Sequence, residues 1–297
     1  MKKNNDQLIR AITADGNIRA LAINGTFLCE KVRKMQQTSP TATAALGRVL
    51  CATAMLAANI KEGEKVYLRI IGDGLAKGIV GQGTPSGSVR GYIVNPKADL
   101  PSKNGKLDVS GIIGEGNLYV TRELGMKEPY TGQVPLQTGE IGDDLAYYFL
   151  QSEQTPSAVG LGVLINTDCS VNVAGGFIIQ AMPGASEAAI TLLEYNIMSS
   201  STPTQLFSEL VTPTKVLEKL LDGFSWSVIG EIKPIFKCEC SKEKARIALQ
   251  TLGAVELQHL LDTDEKFIVN CEMCGKSRNF SPMEVENIIK KLLTEKK

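Results

Sequence analysis

Thr38-Ser39-Pro40-Thr41-Ala42-Thr43-Ala44-Ala45-Leu46-Gly47-Arg48-Val49-Leu50-Cys51-Ala52-Thr53-Ala54-Met55-Leu56-Ala57-Ala58-Asn59 is the stretch on which the fold turns. Cap-forming Thr38 and Ser39 precede Pro40, and proline is well suited to a first helical turn, so a helix begins here and runs to about Asn59. Its apolar residues fall on nearly every side instead of along one stripe, which predicts burial against a sheet. From Ala42 to Ala58 the run is broken by Thr, Gly and Arg, and it falls short of a membrane span.

Short β-rich runs lie on both sides of this helix: Ile18-Arg19-Ala20-Leu21-Ala22-Ile23, Lys65-Val66-Tyr67-Leu68-Arg69-Ile70, Val89-Arg90-Gly91-Tyr92-Ile93-Val94 and Gly162-Val163-Leu164-Ile165. Gly, Asn and Asp turn signals separate them, as in an antiparallel sheet. A second helix is expected from about Asp143 to Ser152, through Leu145, Tyr148 and Phe149. Asp143 and Asp144 then sit where acidic residues favour a helix N-terminus, which explains them better than a catalytic carboxylate pair. The fold class is α+β, with residues 1–183 forming a mixed domain of antiparallel sheet and buried helices.

Residues 184–230 differ in character. Three short helical patterns, Ser186 to Met198, Pro203 to Val211 and Pro213 to Asp222, are separated by Ser-Thr-Pro-Thr and Thr-Pro-Thr, each of which places a cap residue before proline. Helices this short are marginal alone and need a surface to pack on. Ile190, Leu193, Ile197, Leu206, Leu210, Val216, Leu217 and Leu220 would supply the packing face of a docked helical linker. Residues 231–297 form a small third unit, with a helix from Ser241 to Leu261, a strand over Phe267-Ile268-Val269-Asn270 and a last helix. That helix opens on the capping-box pattern Ser281-Pro282-Met283-Glu284.

The 297-residue chain is 43% apolar and 22% charged, which places it among folded globular proteins. Its 32 basic side chains balance 32 acidic ones, so no general attraction to nucleic acid or anionic membrane is expected. Met1-Lys2-Lys3-Asn4-Asn5-Asp6-Gln7 lacks the apolar run of a secretory signal, and a cytoplasmic setting is expected. Thiols stay reduced there, so clustered cysteines point to metal or redox sensing before permanent disulfides.

Four of the seven cysteines lie in the small last unit, as Cys238-Glu239-Cys240 and Cys271-Glu272-Met273-Cys274. The second pair follows a strand and precedes Gly275, the form of a knuckle whose turn aims both sulfurs at one point. Four thiolates satisfy tetrahedral zinc with no open position, so one Zn2+ on Cys238, Cys240, Cys271 and Cys274 is expected. A closed site cannot activate water, which argues against hydrolytic chemistry. A static zinc ribbon is the plainer reading. What favours a switch is Cys-x-Cys: a disulfide between residues two apart closes a tight ring whose backbone geometry does not suit the metal-bound turn. Structural zinc contributes on the order of 10–16 kcal/mol to such units, so losing it should unfold a chain segment this small.

The remaining candidates read as structural. Cys29, Cys51 and Cys169 are scattered through the first domain and are expected to be without function, Cys51 as a core residue of the apolar helix, and His259, the lone histidine, is expected to be structural or solvated. Gly72-Asp73-Gly74 to Gly81-Gln82-Gly83 lacks the Gly-Lys-Ser/Thr and the following helix of a phosphate loop, and is explained by sheet turns and bulges.

Several longer strings resemble the redox-regulated 33-kilodalton heat-shock chaperonin family of bacteria. They are Pro40-Thr41-Ala42-Thr43-Ala44-Ala45-Leu46-Gly47-Arg48, Val89-Arg90-Gly91-Tyr92 with Asn95-Pro96, Thr131-Gly132-Gln133-Val134, and Gly139-Glu140-Ile141-Gly142-Asp143-Asp144-Leu145-Ala146-Tyr147-Tyr148. Ser152-Glu153-Gln154 with Pro156-Ser157, Ala174-Gly175-Gly176-Phe177-Ile178-Ile179-Gln180 and Met182-Pro183-Gly184 continue the match. The four family cysteines fall on Cys238, Cys240, Cys271 and Cys274. Arg278 departs from the pattern, standing where relatives often carry an aromatic residue, which bears on packing of the zinc unit and not on ligation.

The resemblance implies an ATP-independent holdase, not an enzyme, that is inactive when reduced and zinc-bound. Under oxidant it implies disulfides Cys238–Cys240 and Cys271–Cys274, the second usually forming first, with zinc release, a loosened linker, capture of unfolding client proteins and a homodimer of the oxidised form. Two rivals stay open. The first is a static zinc ribbon binding nucleic acid or a protein partner, of which nucleic acid is disfavoured because residues 232–297 carry 12 Lys or Arg against 10 Asp or Glu and few aromatics for base stacking. A thiol oxidoreductase using Cys271 and Cys274 would need a βαβ setting that is not apparent.

Overall fold

A computed structural model describes residues 5–125, 128–263 and 266–294; Met1 to Asn4, on which part of the leader reading rests, lie outside them. The chain divides into two compact units, Met1–Lys237 and Cys238–Lys297.

The first unit opens with strands β1 (Gln7–Thr13) and β2 (Ile18–Asn24), then helices α1 (Thr26–Gln36) and α2 (Pro40–Ala57). Strands β3 (Lys65–Gly72), β4 (Gly78–Gly83) and β5 (Ser88–Ile93) follow, then α3 (Val109–Ile113), β6 (Gly116–Glu123), β7 (Tyr130–Pro135) and α4 (Gly142–Ser152). Strands β8 (Ser157–Ile165) and β9 (Val171–Ala181) precede α5 (Glu187–Ser199), α6 (Pro203–Leu210) and α7 (Pro213–Leu220). Strands β10 (Trp226–Ile232) and β11 (Ile235–Phe236) complete the unit.

These strands make two sheets, one ordered β10-β1-β2-β9-β8 and the other β11-β5-β4-β3-β6-β7. All pairings are antiparallel except β11 beside β5. The all-round apolar character of α2 is explained by its place: it packs on strands of both sheets, and Ser39 caps it by accepting from the Ala42 N–H. Glycine lets it settle closely, since a Cβ at Gly81 would lie 2.2 Å from the Thr53 hydroxyl. The glycine-rich stretch thus belongs to β3, β4 and their connection.

Period-two alternation divides the first sheet between two cores. Leu8, Leu21, Ile23 and Ile178 join the core around α2, whereas Ile9, Ala11, Ile18, Ala20, Ala22, Phe177 and Ile179 face the other way. That second face is covered by Leu193, Leu206, Phe207, Val216, Leu217 and Leu220 of α5, α6 and α7. Capping follows the sequence signals: Ser186, Thr202 and Thr212 accept from the third backbone N–H of their helices. Asp144 is fully buried and accepts N–H bonds from Gln137, Thr138, Gly139 and Ile141, tying the loop before α4 to its first turn.

The expected end of the linker, residue 230, falls inside β10, which pairs with β1. An edge strand declares itself through this distant pairing, and its exposed Val228 and Ile229 break the alternation that would have marked it. Helix α1 was also absent from the sequence expectation; its buried residues Leu28, Cys29 and Val32 are diluted by charged neighbours.

The second unit comprises α8 (Lys242–Gln250), α9 (Gly253–Asp262), the hairpin β12 (Phe267–Asn270) and β13 (Ser277–Phe280), and α10 (Pro282–Thr294). The single helix expected from Ser241 to Leu261 is two helices. Gly253 takes φ 85°, a left-handed conformation that interrupts the ladder and is cheap only for glycine. Ala245, Leu249, Leu257, Phe267, Phe280, Val285, Ile288 and Ile289 form its small core.

A four-cysteine candidate metal centre

Cys238 and Cys240 lie just ahead of α8, whose N-cap Ser241 accepts from the Lys244 N–H. Cys271 and Cys274 occupy the turn of the β12–β13 hairpin. There the Cys274 and Gly275 N–H groups both donate to the Cys271 carbonyl, at 3.2 and 2.7 Å, and the Cys271 N–H donates to Lys276 at 3.0 Å. Gly275 completes the turn at φ 67°. Ordinary turn hydrogen bonding thereby points both sulfurs the same way.

The four Sγ atoms lie within 4.8 Å of one another. Cys238 and Cys271 sulfurs are 3.7 Å apart, and those of Cys240 and Cys274 3.4 Å. Four sulfurs at the usual ~2.3 Å from a central ion would be separated by about 3.8 Å, so the donor set and its spacing suit a closed tetrahedral thiolate site.

The electrostatics agree. Burial pushes Cys238 up, but the Cys240 backbone N–H and the neighbouring thiols of Cys274, Cys271 and Cys240 outweigh it and bring Cys238 down to about 7. Burial pushes Cys274 up to about 12, reinforced by the other thiols, and raises Cys271 as well, with Cys238 adding to the rise. The first charge in the cluster therefore opposes the rest, and full ionisation calls for a compensating cation. Arg278 supplies part of one: its Nη2 donates to the Cys240 sulfur at 3.9 Å. Cys spacing carried no hint of this contact. The residue that departs from the family pattern lies against a candidate ligand.

The other sequence candidates lie elsewhere. His259 is exposed on α9. Cys51 is buried as expected, Cys29 is buried too, and Cys169 is exposed: it sits at φ 64° in the β8–β9 turn, beyond the apolar strand ends. Contrary to the expectation that its run falls short of a span, helix α2 is long and apolar enough by length and composition to cross a membrane, but it is buried inside the first unit.

The model of the Hsp33 protein family matches residues 6–281. A 33 kDa chaperonin of Clostridium botulinum (strain 657 / Type Ba4) is 44% identical over 294 residues, covering 98% of this chain and 99% of its own length. One from Clostridium perfringens (strain ATCC 13124) is 45% identical over 295 residues, with 98% and 91% covered. The crystal structure of the 33 kDa chaperonin (heat shock protein 33 homolog) from Thermotoga maritima superposes with a TM-score of 0.91 at 36% identity, covering 97% of this chain and 99% of that one. With nearly the whole chain aligned in sequence and in fold, the protein belongs to the Hsp33 family of chaperones.

Proposed function

We propose that this chaperone is a redox-regulated, ATP-independent holdase whose Cys238, Cys240, Cys271 and Cys274 bind one zinc ion when reduced. The observation that carries this reading is the convergence of four sulfurs within 4.8 Å in a unit with few buried apolar side chains. Zinc, when bound, holds the four thiolates in one place and so contributes the folding free energy that a core of this size lacks. A closed four-sulfur shell leaves no position for substrate, which favours regulation over catalysis.

On oxidation, the two thiolates of each pair give two electrons to one hydrogen peroxide, whose O–O bond breaks and which takes two protons from solvent to leave as two waters, and disulfides Cys238–Cys240 and Cys271–Cys274 form. The Cys271–Cys274 pair forms first, and once both disulfides are in place no thiolate is left for the metal and residues 231–297 lose their fastener. Residues 1–183 then act as the chaperone core and residues 184–230 as the element that loosens. Undocking of α5, α6 and α7 would uncover Ile9, Ile18, Phe177 and Ile179, a contiguous apolar surface suited to unfolding clients. The oxidised form is a homodimer with clients as its partners, acting in the cytoplasm without nucleic acid or membrane.

The test follows zinc, thiols and client aggregation together on the full chain. Reduced protein should carry one zinc and fail to suppress aggregation. Peroxide should remove four thiols and the metal while suppression appears. Zinc retained after full thiol loss, or suppression independent of oxidation, would overturn the proposal.

A further inference from the structure

Two cysteines outside the four-sulfur cluster meet in the core of the first unit. Cys29 on α1 and Cys51 on α2 are 2% and 0% exposed. Each sulfur occupies the space above a glycine one turn before the other cysteine. The Cys51 Sγ lies 3.1 Å from where a Cβ on Gly25 would stand, and the Cys29 Sγ 3.3 Å from the equivalent point on Gly47. Residues four apart share a helix face, so Gly25 with Cys29 and Gly47 with Cys51 form a reciprocal crossing. The missing side chains let the helices approach until the two thiols interact directly. The Cys29 thiol donates to the Gly47 carbonyl at 3.7 Å, which holds it on that side of α2.

We infer that Cys29 and Cys51 form a second redox site, a buried dithiol that hydrogen peroxide converts to a disulfide fastening α1 to α2 when the two helices part. This is separate from the zinc-site reading and stands without it. The neighbouring Cys51 thiol and burial both push Cys29 well above its ordinary value, so in the closed core it stays protonated and a poor nucleophile. Solvent does not reach either sulfur, and reaction waits for local opening. Once exposed, one thiolate attacks the peroxide, whose O–O bond breaks to leave a sulfenic acid and water. The second thiol displaces the sulfenic oxygen as another water, and the S–S bond forms. Two hydrogens and two electrons pass to one peroxide, giving two waters. The new bond confines the unfolded chain between residues 29 and 51, so heat and oxidant together leave the chaperone core harder to unfold than before.

Full-length reduced protein is treated with peroxide at 25 °C and at a temperature just below its unfolding midpoint, then alkylated and mapped as peptides without reduction. A Cys29–Cys51 linked peptide is expected to accumulate at least tenfold faster in the warm sample. The linked protein should show a first-unit midpoint raised by about 5 °C or more over the same sample after reduction. Cys51→Ala, tested in parallel, keeps the four cysteines of the second unit and should lose the shift; should it not fold, Cys29→Ala serves. Recovery of both residues unlinked or overoxidised after warm treatment would overturn the inference. So would pairing with Cys169 or with the second unit's cysteines, or linkage equally fast at 25 °C.

Discussion

Leu217→Ala tests whether docking of the short helices silences the chaperone. Leu217 is fully buried on α7, an eight-residue helix, among Val216, Leu220 and the second face of the first sheet. Removing three buried carbons and leaving a cavity costs roughly 2–5 kcal/mol. So short a helix has little propensity of its own to offset the loss. At about 3 kcal/mol, with about 1.4 kcal/mol per tenfold, the undocked population should rise on the order of a hundredfold. Amide exchange across α6 and α7 reads that population directly. Aggregation suppression by reduced, zinc-loaded protein reads the consequence, with Glu218→Ala, an exposed neighbour, as the control. The variant is expected to suppress aggregation without oxidant while Glu218→Ala stays inactive. A hundredfold rise in exchange with no capture of client would show that the face under α5, α6 and α7 is not where clients bind.

Three further expectations follow from individual residues. Cys274→Ser should abolish stable zinc retention and speed proteolysis of residues 238–297, because the small core of that unit stands without its fastener; unchanged proteolysis would separate metal from folding. Arg278→Ala should weaken zinc retention by about 10- to 100-fold in chelator competition, with Arg278→Lys between the two, since the guanidinium contact with the Cys240 sulfur is lost; equal retention would make the contact incidental. Asp6 is buried, and burial raises it from 3.8 to about 6 against the opposing Phe27 and Leu28 N–H bonds and the charge of Lys233. A carboxyl raised in the fold stabilises fully below the unfolded value and loses that contribution as pH rises through the folded one. The first unit should therefore lose on the order of 3 kcal/mol between pH 3 and pH 7 from this group, and the same titration of Asp6→Asn should lack that component.

The local rules were legible in the chain. Thr38-Ser39-Pro40, Ser-Thr-Pro-Thr and Thr-Pro-Thr marked helix starts that the structure places within a residue or two, because a cap and a proline act through the backbone of the same turn. Cys-Glu-Cys and Cys-Glu-Met-Cys marked the candidate metal centre for a similar reason: each pair needs only its own turn to present two sulfurs. Matters of distance were not legible. Strands β10 and β11 exist through pairing with β1 and β5, and neither carries an alternation of its own. The break at Gly253 hinged on one residue adopting positive φ within a pattern that otherwise reads as continuous helix.

What the sequence by itself determined was the capped helix starts and the grouping of like cysteines within each short motif, since those depend on neighbours a few residues away. Only the tertiary structure decided that α2 lies between two sheets, that Arg278 reaches Cys240, and that Cys29 meets Cys51 across a pair of glycines. Such contacts arise where packing brings distant segments together, and burial of apolar surface, which drives packing, rewards total area without regard to separation along the chain.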